Sequence, residues 1–252
     1  MSTSYKIGLL ICDDPVPSVV SLYGDYSKIF QNYFQLSLTQ LKPNAKLELI
    51  PYYIQKLGEL PSINNDLKGY IITGSSYSAY LNETWILDLI QFCKKSLDEE
   101  PNKRWVGICF GHQLLARVFD DKAVEKNSLG WEVGPLPIEL TEEGKRCFNT
   151  QEDKLIIHQM HQDHVVTIPS DFQILAKSSV SGIQGYLLKD KILAIQGHPE
   201  FTHSIVHLIV EKRAEKGIFK KEQVNEIEDR LKTVDVDQYC FGKIMIQFLL
   251  RL

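Results

Sequence analysis

Four short apolar runs in the first half of the chain, Lys6–Cys12, Lys46–Tyr53, Gly69–Thr73 and Arg104–Ile108, constrain the fold more than any other feature. Each has the length of a buried strand, and turn-forming residues follow three of them: Asp13-Asp14-Pro15, Gly74-Ser75-Ser76 and, beyond Cys109-Phe110, Gly111. Between the runs lie segments with helical spacing. Tyr26–Leu41 repeats Ile29, Phe30, Tyr33, Phe34, Leu38 and Leu41 on one side. Thr84–Leu97 does so with Trp85, Ile86, Leu89, Ile90 and Phe92, and Gly111–Phe119 with Leu114, Leu115 and Val118. Alternating strands and helices predict an α/β fold, a mostly parallel sheet with helices on both faces.

After residue 122 the texture changes. Val133–Leu140, His164–Ile168, Phe172–Lys177, Gly185–Leu188 and Ile192–Gln196 read as added short strands, the last two joined as a hairpin through Lys189-Asp190-Lys191. From Ser204 the pattern is helical again. With no repeat, low-complexity tract or linker, one domain over residues 1–252 is expected, with a helical extension at about 204–252.

Charge narrows the function. The 28 basic and 32 acidic residues give a net charge of −4 and form no single-sign block, so no nucleic-acid or membrane partner is expected. The N-terminal segment lacks the layout of a secretory signal, and no apolar run reaches the ~18 residues of a membrane span. The five cysteines are scattered without a C-x-x-C, which predicts free thiols and a reducing compartment, cytoplasmic or also nuclear.

One cysteine stands apart. In Gly107-Ile108-Cys109-Phe110-Gly111-His112-Gln113 an apolar strand runs into Cys109, and a helical segment follows. This is the layout of a nucleophile elbow, a tight strand-to-helix turn that projects one reactive side chain. Gly107 and Gly111 supply the small residues such a turn crowds, and a helix N-terminus favours a thiolate. The amide of Phe110 would face the oxygen that becomes negative in acyl transfer. The competing reading is an inert buried cysteine at a strand end, and the flanking glycines and helix start weigh against it.

A nucleophilic thiol needs a base and a group that orients the base. Ile192–Gln196 leads into Gly197-His198-Pro199-Glu200-Phe201, which places His198 just past a strand end. An extended His-Pro-Glu unit stiffened by Pro199 would let Glu200 reach back to the imidazole. At the end of Gly69–Thr73, the amides of Gly74 or Ser75 could join that of Phe110 around an oxyanion.

Together these stretches resemble the class I (triad) glutamine amidotransferases. G-I-C-F-G-H-Q is similar to the family's nucleophile motif, Q-G-H-P-E-F to its His–Glu motif and I-T-G-S-S-Y-S to its oxyanion strand, in the same order, over roughly Lys6 to Phe201. The resemblance implies a flavodoxin-like fold and a Cys109–His198–Glu200 triad hydrolysing a γ-glutamyl amide through a thioester. It implies oxyanion amides from Gly74 and Phe110 and substrate contacts from Gln113 and Ser75. Met160-His161-Gln162-Asp163 occupies the place of the family's S-H-G-D-like stretch, so His161, Gln162 and Asp163 are assigned to the amino-acid end of the substrate. Met160 and Gln162 depart from that stretch, and Thr73 stands where the family has the first glycine of a pair. No synthetase domain is expected, and the chain is similar to stand-alone members, fungal amidotransferase-like proteins and plant γ-glutamyl peptidases. In that subgroup a loop like Tyr23-Gly24-Asp25-Tyr26 borders the pocket, which adds Tyr23.

Other readings are weighed against this one. His158, His161 and His164, or His203 and His207, could share a helix face and hold zinc, but no Cys or carboxylate completes either set at ligand spacing. No metal or cofactor is therefore expected. A glutaminase subunit feeding ammonia to a separate synthase, and a non-catalytic regulatory protein on the same fold, remain as alternatives to a free-standing hydrolase of glutamine or γ-glutamyl peptides. A synthase partner is conceivable, but no residue indicates one.

Overall fold

The computed structural model describes residues 4–252. Its first half alternates as expected: β1 (Ser4–Ile11), α1 (Pro17–Tyr23), α2 (Tyr26–Leu41), β2 (Lys46–Tyr53), α3 (Ile54–Leu57), β3 (Gly69–Ile72), α4 (Thr84–Glu99), β4 (Arg104–Ile108) and α5 (Phe110–Arg117). The second half runs β5 (Val124–Lys126), β6 (Glu132–Leu140), α6 (Glu142–Phe148), β7 (Lys154–His161), β8 (Asp163–Val165), β9 (Gln173–Lys177), β10 (Gly185–Leu188) and β11 (Ile192–Ile195). It closes with α7 (His203–Glu215), α8 (Lys221–Thr233) and α9 (Gln238–Leu250).

The principal sheet has the order β2-β1-β3-β4-β11-β10-β9-β6-β7. Strands β2, β1, β3, β4 and β11 are mutually parallel, and the remaining strands add to the same sheet antiparallel. Most of the expected β-rich segment therefore continues the parallel sheet, while β8 pairs antiparallel with β5 in a separate two-stranded sheet. The β10–β11 hairpin turns at Lys189–Lys191 as its sequence predicts.

Alternation along the parallel strands builds two cores. Ile7, Leu9, Ile71, Val106, Ile108, Leu193 and Ile195 face one side, with Phe30, Phe34 and Leu38 of α2 and Phe241, Met245 and Ile246 of α9. Leu10, Tyr70, Ile72, Trp105, Ile192 and Ala194 face the other, with Ile86, Leu89 and Ile90 of α4 and Leu114 and Leu115 of α5. Strands buried on both faces explain why the runs read as continuously apolar. The C-terminal helices complete this layering, since α9 lies along α2, where the Tyr33 hydroxyl donates to the Gln238 carbonyl at 2.7 Å.

Five elements escape the sequence pattern, the short α3 and β5 among them. Strand β7 carries His158, Gln159 and His161, all buried, so its polar letters hide a strand that runs through the interior. Helix α1 starts at Pro17 and buries only Val19 among its residues. Helix α6 is a short helix capped by Thr141, whose side chain accepts from the Gly144 amide. Among the described residues no helix is long and apolar enough to cross a membrane.

The contact between α5 and β3 has no slack. A Cβ on Gly111 would lie 2.4 Å from the Ile72 carbonyl oxygen, inside any permitted contact with backbone. Gly111→Ala is expected to push α5 off the sheet, at a cost of about 1–3 kcal/mol from overpacking, read as a Tm roughly 3–10 °C lower by calorimetry. Gly182→Ala, whose Cβ would meet nothing within 4 Å, should leave Tm unchanged.

Candidate active site

The parallel half places its chemistry at the carboxyl ends of neighbouring strands. Cys109 follows β4 directly and adopts φ 52°, ψ −103°, a left-handed backbone that non-glycine residues rarely hold. Its carbonyl accepts from the Gln113 amide at 3.1 Å, which starts α5, while its own amide donates to the Ile195 carbonyl at 3.0 Å. Strain is thus held between a helix start and a strand end. The Phe110 ring anchors the turn from beneath by stacking on Trp85, with centroids 5.4 Å apart.

The neighbouring strand β11 leads into His198. The segment His198-Pro199-Glu200 is a turn, with the Phe201 amide donating to the His198 carbonyl at 3.3 Å, and not the extended unit expected from Pro199. The turn brings Glu200 back under the ring, and Nδ1 lies 2.8 Å from the Glu200 Oε1. A carboxylate only accepts, so Nδ1–H donates and Nε2 is left for other work. The other carboxylate oxygen, Oε2, is buried without a hydrogen-bond partner.

Three features fix the imidazole. The Phe201 ring lies parallel to it at 4.1 Å. The His198 amide donates to the His158 carbonyl at 2.7 Å, tying the turn to β7. Gly74, just beyond β3, abuts the ring so closely that a Cβ there would fall 2.7 Å from Cε1. Burial works against an imidazolium, but the charges of Cys109 and Glu200 outweigh it and push His198 up to about 10. The buried His158, by contrast, is pushed down to about 3, first by burial and then by the neighbouring His203 and His198, so it adds no second charge behind His198.

Two adjoining cavities open on this centre. A smaller one, about 190 Å³, is lined by Cys109 with Gln113, His161, Gln162 and Asp163 among others. The Gln113 side-chain amide donates to the Asp163 carbonyl at 2.9 Å and to the Gln196 Oε1 at 3.1 Å. His161 Nδ1 sits 3.0 Å from that same Asp163 carbonyl, and its Nε2 is 3.3 Å from buried Glu132. Gln162 is held through Asn127, whose amide donates to its carbonyl at 3.1 Å. Residues about 50 positions apart are thereby gathered into one polar wall.

A larger cavity, about 480 Å³, lies on the His198 side, with Tyr26, Trp131, Phe201 and Arg213 in its wall. Ser75 and Ser76 line both cavities. The Ser75 hydroxyl accepts from the Tyr77 amide at 3.1 Å. Tyr23, assigned to the pocket border, ends α1 and packs on the core without lining either cavity; Tyr26, on the next helix, lines the larger one. Sequence reasoning named Tyr26 only within the Tyr23–Tyr26 loop, and it overlooked Trp131 and Arg213, which carry no local motif and reach the site only through packing. Among the histidines weighed for zinc, His158 and His161 sit on β7 and His164 on β8, so they share no helix face. On α7, His203 Nε2 donates to the Val234 carbonyl and His207 Nδ1 lies 2.8 Å from Glu228. Among the described residues no group of three or more His, Cys, Asp or Glu is placed to hold a metal ion.

Gly74→Ala tests the tight fit at the imidazole. The added methyl should rotate or displace His198, so turnover of any substrate that needs the ring is expected to fall by about 10²-fold with little change in Tm. Activity within twofold of the parent would show that the ring tolerates displacement.

The chain is similar to known proteins in sequence and in fold. The sequence profile of Glutamine amidotransferase class-I matches residues 30–213. A glutamine amidotransferase-like protein of Schizosaccharomyces pombe is 31% identical over 98% of this chain and 99% of its own. Gamma-glutamyl peptidase 4 of Arabidopsis thaliana is 33% identical over 77% of this chain and 78% of its own. A glutamine amidotransferase crystal structure from Thermotoga maritima superposes with a TM-score of 0.68 at 19% identity, covering 97% of this chain and 98% of that one.

Proposed function

The chain belongs to the class-I glutamine amidotransferase family, and we propose that it is a cysteine-dependent hydrolase of γ-glutamyl amide bonds using Cys109, His198 and Glu200. The observation that carries this reading is the strained Cys109 at the end of β4, beside a His198 whose Nδ1 is committed to buried Glu200 at 2.8 Å. A bound Glu–His pair next to a thiol held at an unfavourable φ is what acyl transfer by a nucleophile needs and what a merely structural cysteine does not.

The chemistry follows from the positions. Substrate binds with its γ-glutamyl group in the smaller cavity, against Gln113 and the wall of His161, Gln162 and Asp163. The Cys109 thiolate attacks the γ-carbonyl carbon, and the carbonyl oxygen takes up the negative charge within reach of the Gly74 and Phe110 amides. His198, kept protonated by its charged neighbours, delivers its Nε2 proton to the nitrogen of the collapsing intermediate. The amine departs on the His198 side and leaves a γ-glutamyl thioester. Water then enters, its oxygen attacks the thioester carbon as His198 takes one of its protons, and the C–S bond breaks to release glutamate and restore the Cys109 thiolate beside protonated His198.

The reading is tested by incubating the protein with glutamine, glutathione and γ-glutamyl dipeptides and measuring glutamate. Hydroxylamine added to the reaction should divert the thioester to γ-glutamyl hydroxamate. Neither glutamate nor hydroxamate from any of these amides would overturn it.

A further inference from the structure

The larger cavity holds a charge that the triad does not use. Arg213, on α7, lines both cavities, and its Nη1 is buried with no hydrogen-bond partner. Its guanidinium lies over the Trp131 ring, 4.7 Å from the centroid, which fixes the plane and leaves the edge free to donate. Among the described residues no carboxylate forms an ion pair with it.

Three of the other charged residues in its wall, Asp13, Asp14 and Lys212, are already engaged, and a fourth, Lys216, is exposed to solvent. Asp13 accepts from both the amide and hydroxyl of Ser76, at 2.7 and 2.6 Å. Asp14 pairs with Lys56 at 2.9 Å, and Lys212 with Glu215 at 2.7 Å. Arg213 is partly buried, and leaving its Nη1 desolvated without an acceptor is costly; an anion that accepts from it would offset that cost. Size points the same way. About 480 Å³ on the leaving-group side far exceeds the room needed by ammonia, which is about as large as a water at roughly 30 Å³.

Resting on the hydrolase reading above, we infer that Arg213 binds a carboxylate on the departing amine, so that the preferred substrates are γ-glutamyl amino acids or peptides with a free carboxylate and not glutamine. The side of the site is set by α7. Its Ile209, Lys212 and Lys216 line only the His198-side cavity, so Arg213 projects from the wall along which the amine departs. A planar guanidinium matches a carboxylate with two parallel N–H donors, which a primary amide cannot accept equally.

The test compares γ-glutamyl-alanine, γ-glutamyl-alaninamide and glutamine, by kcat/KM, in the native protein and in Arg213→Lys and Arg213→Leu. The native protein is expected to favour the acid over the amide by about 10–100-fold, the range of a charge-assisted hydrogen bond. Arg213→Leu should bring that ratio close to one, and Arg213→Lys should restore part of it. An unbiased native ratio overturns the inference without any variant having to fold. So does a native preference that survives in Arg213→Leu. Equal losses on acid and amide would assign Arg213 to the γ-glutamyl end and also overturn it. In each of these results γ-glutamyl turnover persists, so the hydrolase reading stands; if no γ-glutamyl amide is cleaved, both fall together.

Discussion

Cys109→Ala is expected to reduce glutamate release from every γ-glutamyl substrate by on the order of 10⁶-fold, as loss of a covalent nucleophile does elsewhere. Nothing at this turn can replace the sulfur, because the other four cysteines line neither cavity. The same position yields an opposite effect on stability. At φ 52° a side chain is strained, and such residues cost about 1–3 kcal/mol. Glycine adopts this conformation freely but loses more entropy on folding, by about 0.5–1 kcal/mol. Cys109→Gly should therefore be inactive and yet unfold at equal or higher temperature than the parent. Calorimetry alongside the glutamate assay separates the two effects. An inactive and clearly destabilised glycine variant would mean that the thiol holds the turn together.

Glu200→Gln is expected to lower kcat by about 10²–10⁴-fold while leaving the fold intact. The glutamine side chain fills the same space but carries no charge. The sign of the pH effect follows from the balance at His198, where burial lowers the tendency to hold a proton and the charges of Cys109 and Glu200 raise it to about 10. The leaving amine needs the protonated ring, so activity should persist through neutral pH and decline as pH approaches that value. Removing the Glu200 charge leaves burial less opposed, and the alkaline limb of kcat/KM should move to lower pH. Profiles from pH 6 to pH 11 for both proteins check this. A limb that does not move would show that Glu200 fails to support the charge on His198.

Much of this was legible in the sequence because the relevant signals are local. Lys6–Cys12 and Arg104–Ile108 are buried on both faces, so their apolar runs announce strands, and Cys109 between Gly107 and Gly111 announces the tight turn. The His198–Glu200 pair is also local, although the turn that joins the two residues replaces the expected extended unit. What stayed hidden depends on distant packing. Strand β7 was masked because the wall it supplies to the site is polar, and a strand of His, Gln and Met does not look buried. Arg213 has no motif around it. Its placement depends on α7 docking against Trp131, 82 residues earlier in the chain as their numbers give it. Tyr26 and Tyr23 differ only in which helix they belong to, and that boundary is set by Gly24, at φ 84°, and by Asp25 capping α2.

The hydrogen bond from the Cys109 amide to the Ile195 carbonyl carries an evolutionary consequence. It fixes the thiol's strand against the strand that ends, three residues later, in the imidazole. The spacing between the two reacting groups is therefore measured out by main-chain atoms, which nearly every amino acid possesses in identical form. Side chains throughout β4 and β11 can be exchanged for others of similar volume without resetting that distance. Lineages carrying this sheet are free to revise the cavity walls, and with them the choice of leaving amine, while the reacting pair keeps its place.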